Sequence, residues 1–219
     1  MMGRIKTVSD EAVLGCLLDT LAATGPGGLT FSKASAASGL SPATLVQRFR
    51  NRDAMVEAVL VHAWDKLDAR TIAAEQEAPS TPRGAISLLL HLMRGSAAEY
   101  DVTEGLLLLR EDLINPVLRA RGHAWGETLA EALGKRLAPR AEAPEQIGWQ
   151  MLSMWQGAII WWGFKRDGDP EAAIRQALEQ WCCGAGIDIQ SGMVVPHGQA
   201  AKRGGKASRT ATGKRSGTA

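Results

Sequence analysis

The sequence predicts an all-α protein in two parts, a small N-terminal three-helix domain containing a helix-turn-helix and a larger helical domain after it. Three observations carry that expectation. Apolar residues recur at i, i+3, i+4 and i+7 in one segment after another, as in Leu14, Leu17, Leu18 and Leu21. No run shows the strict alternation and β-branched enrichment of a strand. The stretch Leu29 to Asp53 joins two short helical patterns through a glycine, with cap and turn chemistry on either side.

Taken in order, residues 1–8 read as a loose arm carrying Arg4 and Lys6, and Thr7 or Ser9 is placed to cap the first helix. That helix, Val13 to Ala23, turns its leucine stripe inward and stops at Gly25-Pro26-Gly27-Gly28. In the next helix Phe31, Ala34 and Ala37, with Leu40 beyond, form one apolar face, and Gly39 supplies the positive φ that a tight interhelical turn needs. Ser41 caps the third helix, Pro42 takes its first position, and Leu45 with Phe49 point inward. Ala43 and Gln47 then lie opposite the buried side, with Thr44 and Arg48 on the flanks. From Thr20 to Arg52 there is no acid, while Lys33, Arg48, Arg50 and Arg52 are basic, a one-sided charge that suits DNA phosphate.

Val56, Val59, Leu60, Ala63, Trp64 and Leu67 continue the helical period on a fourth helix, the natural link to the second domain. Glu75 to Arg83 is polar, contains two prolines and breaks the chain. Beyond it, Ile86, Leu89, Leu90, Met93 and Ala97 mark one helix, Val102 to Leu113 a second, and Val117 to Leu137 a third with Leu118, Trp125, Leu129, Ala132 and Leu133 on one side. Pro139 and Pro144 bracket a loop. Glu145 to Arg166 is so apolar that cover nearly all round is expected. Ile174, Ala177, Leu178, Trp181 and Cys182 define a last amphipathic helix closed by Gly184, and from Gln190 the Gly, Ala, Ser, Thr, Lys and Arg composition reads as a disordered tail. The expected layout is a helix-turn-helix domain over 1–54, a helical domain over 55–188 and a basic tail over 189–219.

On the residues of Leu29 to Asp53 the first quarter of the chain resembles the DNA-binding domain of the tetracycline-repressor (TetR) family of transcriptional regulators. The resemblance implies a double-stranded operator as partner. Thr30 and Ser32 would sit at the start of the second helix near the DNA backbone, and Pro42, Ala43, Thr44, Gln47 and Arg48 would face the major groove. Arg52 would take the place of the family's usual lysine as a phosphate contact. Val46 stands where the family commonly has an aromatic, and Ser32 where it commonly has Arg, which implies the loss of one phosphate hydrogen bond and reduced base reading from the second helix. The family also implies an effector-binding and dimerisation role for the second domain, with dimer contact through the last two helices. A two-fold dimer would set two recognition helices on successive major grooves of a palindrome.

Lys and Arg number 25 against 23 Asp and Glu, yet Lys202, Arg203, Lys206, Arg209, Lys214 and Arg215 all lie in the tail, so the body is mildly acidic and the DNA argument rests on local charge. Cys16, Cys182 and Cys183 form no metal-ligand spacing and an adjacent pair rarely closes on itself, which fits a reducing cytoplasm. No uninterrupted apolar segment of export or membrane-spanning length is present, so no membrane partner is expected. No phosphate loop, nucleophile elbow or paired catalytic group emerges; an enzyme, a metal site and a cofactor are not expected.

Trp125 and Trp155 are the candidate walls of a pocket for an apolar or aromatic effector, with Arg110 and His123, and beside them His91 and Glu111, as the nearest polar groups. Trp161, Trp162, Ile174, Leu178 and Trp181 are the candidate homodimer contacts. The alternative reading is a helical small-molecule-binding protein whose DNA module no longer reads sequence.

Overall fold

The computed structural model describes residues 8–93 and 102–189. Their regular structure is helical throughout: α1 (Asp10–Gly28), α2 (Phe31–Ser38), α3 (Pro42–Phe49), α4 (Arg52–Glu77), α5 (Pro82–Met93), α6 (Val102–Ile114), α7 (Pro116–Leu137), α8 (Pro144–Lys165) and α9 (Pro170–Gly184). Residues 1–7 of the N-terminal arm, Ala97 and the tail from Gln190 lie outside the described residues.

Local chemistry sets most helix starts. Ser9, Thr30, Ser41, Asn51, Asn115 and Asp169 each accept a backbone N–H of the first turn, which satisfies a donor the helix itself leaves open. Gly39 ends α2 with φ 71°, as the interhelical turn requires. α1 differs from the expectation at both ends. Capping by Ser9 starts it at Asp10, and after a break at Gly25 (φ 68°) a further turn runs to Gly28. α4 also outruns its expected end, because Glu75 to Glu77 stay helical and the chain breaks only at Ala78.

Two apolar cores form. The first joins Val13, Leu17 and Leu21 of α1 to Ala34, Leu45, Phe49 and, from α4, Met55, Val56, Val59 and Leu60; Leu118 of α7 closes it. The second packs α5, α7, α8 and α9 together through Leu89, Leu129, Leu133, Met151, Ile174 and Leu178. The boundary expected at residue 54 therefore falls within α4, whose first half completes the N-terminal core. Trp64, further along the same helix, packs against both cores.

The α7–α8 contact is so close that a Cβ on Gly148 would sit 1.8 Å from the carbonyl oxygen of Ala130. Buried Arg136 of α7 stitches the end of α4 in place. Its guanidinium donates to the carbonyls of Glu75 (2.7 Å), Ala78 (3.2 Å) and Pro79 (3.2 Å), satisfying a charge that burial would otherwise penalise.

α8 is not covered all round within the chain. Met151, Leu152, Trp155 and Ile159 face the core, but Trp161 is 64% and Phe164 76% exposed. No helix among the described residues is long and apolar enough to cross a membrane.

Candidate nucleic-acid interface and effector cavity

α3 is a two-turn amphipathic helix whose inward residues, Leu45 and Phe49, are fixed in the first core. Pro42, Ala43, Thr44 and Gln47 are all exposed, as the period requires once that face is buried. The Thr44 hydroxyl lies 2.8 Å from that of Ser41, so it takes part in the cap as well as facing outward. Thr30 caps α2 by accepting from the backbone N–H of Lys33, and Ser32 beside it is exposed. Lys33 and Arg50 add exposed basic side chains to the same module. Ala37, expected on the buried face of α2, is exposed instead; Ala34 alone of that helix is fully enclosed.

Two arginines of the module also make contacts within the chain. Arg48 turns back toward α1: its Nε is 3.2 Å from the Asp10 carboxylate and its side chain is only 25% exposed. A second nitrogen donates to the Val8 carbonyl at 3.4 Å. Arg52 is likewise engaged internally, donating from Nε to the Leu29 carbonyl at 2.9 Å and from a terminal nitrogen to that of Pro26. These carbonyls end α1 and precede α2, where helix termination leaves acceptors without a partner. The Arg52 guanidinium thus fastens the α1–α2 connection to the start of α4.

A cavity of about 240 Å³ lies where α4, α6, α7 and α8 meet. Trp125 and Trp155 line it, as the sequence suggested, and Trp64, Asp112 and Gln156 join them. Trp64 and Trp125 stand with ring centroids 5.8 Å apart and planes tilted by 58°. The Trp125 indole N–H donates to the buried Thr71 hydroxyl at 2.9 Å, and that of Trp64 to the Asp112 carboxylate at 3.0 Å. Burial raises the pKa of Asp112 above the usual carboxylate value; the Trp64 hydrogen bond opposes this and the charge of Glu111 adds to it.

The expected polar partners are elsewhere. Arg110 is exposed and paired with Glu111 at 2.7 Å; His123 is exposed, 3.5 Å from Glu127; His91 faces solvent beside α9. They sit on the outer faces of α5, α6 and α7, one or two positions out of phase with the cavity walls. Asp112 was missed because an isolated acid in an amphipathic helix carries no spacing signal; its phase relative to Leu108 and Leu109 is the only hint in the sequence.

Along the outer side of α8 and α9 runs an open groove of about 980 Å³, bordered by Trp149, Met154, Trp161, Trp162, Ala177 and Trp181. Ile174 and Leu178 are not part of it. They are 1% and 0% exposed in the chain's own second core, so neither is available to a partner subunit, which corrects their expected role. The outward positions of α9 are Ala173, Gln176, Ala177, Gln180 and Trp181.

No group of three His, Cys, Asp or Glu side chains among the described residues is arranged to hold a metal ion. Burial pushes the Cys182 thiol up to about 11, far from the range of a reactive thiolate.

No family model matches the sequence, and no curated protein does. Solved structures do match. One is assigned to the TetR-family transcriptional regulators, from Rhodococcus sp., with TM-score 0.57 and 22% identity over 79% of this chain and 96% of that one. A second is described as a transcriptional regulator from Pseudomonas aeruginosa PAO1, with TM-score 0.60 and 18% identity over 80% and 89%. A third, AibR, was solved in complex with isovaleryl coenzyme A and operator DNA; it matches with TM-score 0.53 and 18% identity over 77% and 95%. With its three-helix N-terminal core, its long α4 and its helical second core, this chain has the fold of the TetR-family transcriptional regulators.

Proposed function

We propose that the protein is a dimeric, ligand-responsive transcriptional repressor that reads a palindromic operator through α3. The observation that carries this reading is the exposed row Pro42, Ala43, Thr44 and Gln47, held rigidly by buried Leu45 and Phe49 in a module whose segment from Thr20 to Arg52 contains no acid. Gln47 is the residue in this row able to make a paired hydrogen bond to a base edge. Thr30, Ser32, Lys33 and Arg50 supply backbone-phosphate contacts, while Arg48 and Arg52 hold the module's helices in register. AibR, a protein of the same fold solved with operator DNA and an acyl-coenzyme A, supports the assignment of one DNA module and one ligand domain.

α4 couples the two. Its first half is part of the core beneath α3, and Trp64 in its middle forms a wall of the cavity. Asn115 ties the α6–α7 junction to Glu57 of α4 at 2.6 Å, and Arg121 of α7 pairs with Asp65 and Asp68 of α4 at 2.6 and 2.9 Å. A ligand that favours one position of Trp64 therefore biases α4 and the spacing of the two recognition helices, provided it binds the two arrangements with different affinity.

Gln47→Ala tests the reading role. In a titration at fixed salt it is expected to weaken operator binding by roughly 1–3 kcal/mol while leaving binding to unrelated duplex nearly unchanged. Equal loss on both DNAs would remove Gln47 from base reading.

A further inference from the structure

Building on the reading of the α4/α6/α7/α8 cavity as an effector site, we infer that its ligand is a small organic cation, one ring in size, held by the Asp112 carboxylate within the indoles of Trp64, Trp125 and Trp155. Among the described residues that line the cavity, Asp112 alone is ionisable, and Gln156 is the other side chain with a polar head besides the indoles. None of those described residues is basic. Among the described residues, Arg110 is paired with Glu111, Arg121 with Asp65 and Asp68, and Arg70 donates to the Leu92 carbonyl. A half-buried carboxylate without a protein counter-charge is unfavourable, and a bound cation relieves that cost.

The aromatic walls point the same way. Indole faces carry negative electrostatic potential and attract ammonium groups, most strongly where water is excluded. Trp64 and Trp125 stand close together in the wall with tilted planes, and Trp155, 7% exposed, lines it with them, so three indoles border the space. Hydrogen bonding to Trp64 occupies Oδ1 of Asp112 and fixes the carboxylate, which leaves Oδ2 to meet the ligand. At about 240 Å³ the space falls below the roughly 300–1,000 Å³ of sites for drug-sized ligands, so a single ring with a short amine arm fills it. An acyl-coenzyme A would exceed this volume and bring its anionic groups to a carboxylate.

The test is a tryptophan-fluorescence titration of the full chain at pH 7.5 with three probes of one shape: phenethylammonium, 2-phenylethanol and phenylacetate. The expected result is saturable quenching by phenethylammonium with an affinity at least about ten-fold above the alcohol, and weaker binding still for phenylacetate. Asp112→Asn keeps an oxygen acceptor for Trp64 and removes the charge; it is expected to reduce the ammonium to the level of the alcohol. Preference for the alcohol or the carboxylate in the unaltered protein would overturn the inference, as would an undiminished ammonium preference in Asp112→Asn. Absence of saturable binding by all three probes would overturn both the inference and the effector-site reading, whereas binding with the wrong charge preference would overturn the inference alone.

Discussion

Asp112 shows how much one charged group decides when it is placed among indoles. Its pKa lies above the usual carboxylate value, chiefly because burial disfavours the charged form. Cation binding requires the ionised carboxylate, so protons compete with the ligand as pH falls. Because the pKa is raised, affinity for phenethylammonium is expected to begin falling at a higher pH than an ordinary exposed aspartate would give, while affinity for 2-phenylethanol stays level. Titrations between pH 7.5 and 4.5 check this; parallel curves for the two probes would contradict it. Arg48 and Arg52 teach a related lesson. Their positions on the helices are as the sequence implies, but their guanidinium groups go to Asp10, Val8, Leu29 and Pro26. Such partners are set by how α1 packs across the module, and periodicity along one helix carries no information about them.

At the scale of elements, the helix-turn-helix was legible because its determinants are local. Ser41, Pro42 and Gly39 act within a few residues of themselves, and each does in the structure what its chemistry implies. The buried stripe of α7 was legible for the same reason. Arg136 was not, since three of its carbonyl acceptors lie 57 to 61 residues away, at the end of α4 and just beyond it. Nor was the open side of α8, because apolar composition requires cover without saying who provides it. Close approach of α7 and α8 gives a sharp prediction. Gly148→Ala drives a methyl into the Ala130 carbonyl and is expected to destabilise the protein by about 1–3 kcal/mol despite the better helix propensity of alanine. Gly15→Ala, in an α1 position with nothing within 4 Å of a Cβ, is expected to be neutral or stabilising by up to about 1 kcal/mol. Opposite signs in thermal or denaturant unfolding support the packing described; a neutral Gly148→Ala would contradict it.

For the whole molecule, two cores share one helix, α4, and under the proposed function that helix is the route from a ligand at the second core to DNA contacts at the first. The groove along α8 and α9 completes the picture. Trp161 and Phe164, 5.5 Å apart between ring centroids and mostly exposed, form an apolar patch of the kind that marks a subunit contact. Trp161→Asp combined with Phe164→Asp is expected to convert a dimer into a folded monomer by sedimentation equilibrium, and to weaken operator binding through loss of the second half-site. An unchanged mass would place the contact elsewhere.

Sequence-specific operator reading by α3 in a two-fold dimer is put to the test by selecting bound fragments from random duplex DNA. The predicted result is an enriched inverted repeat with half-sites about one helical turn apart, lost when the selection is repeated with Gln47→Ala. Recovery of DNA with no enriched sequence would contradict the claim and leave a helical ligand-binding protein whose DNA module does not read bases.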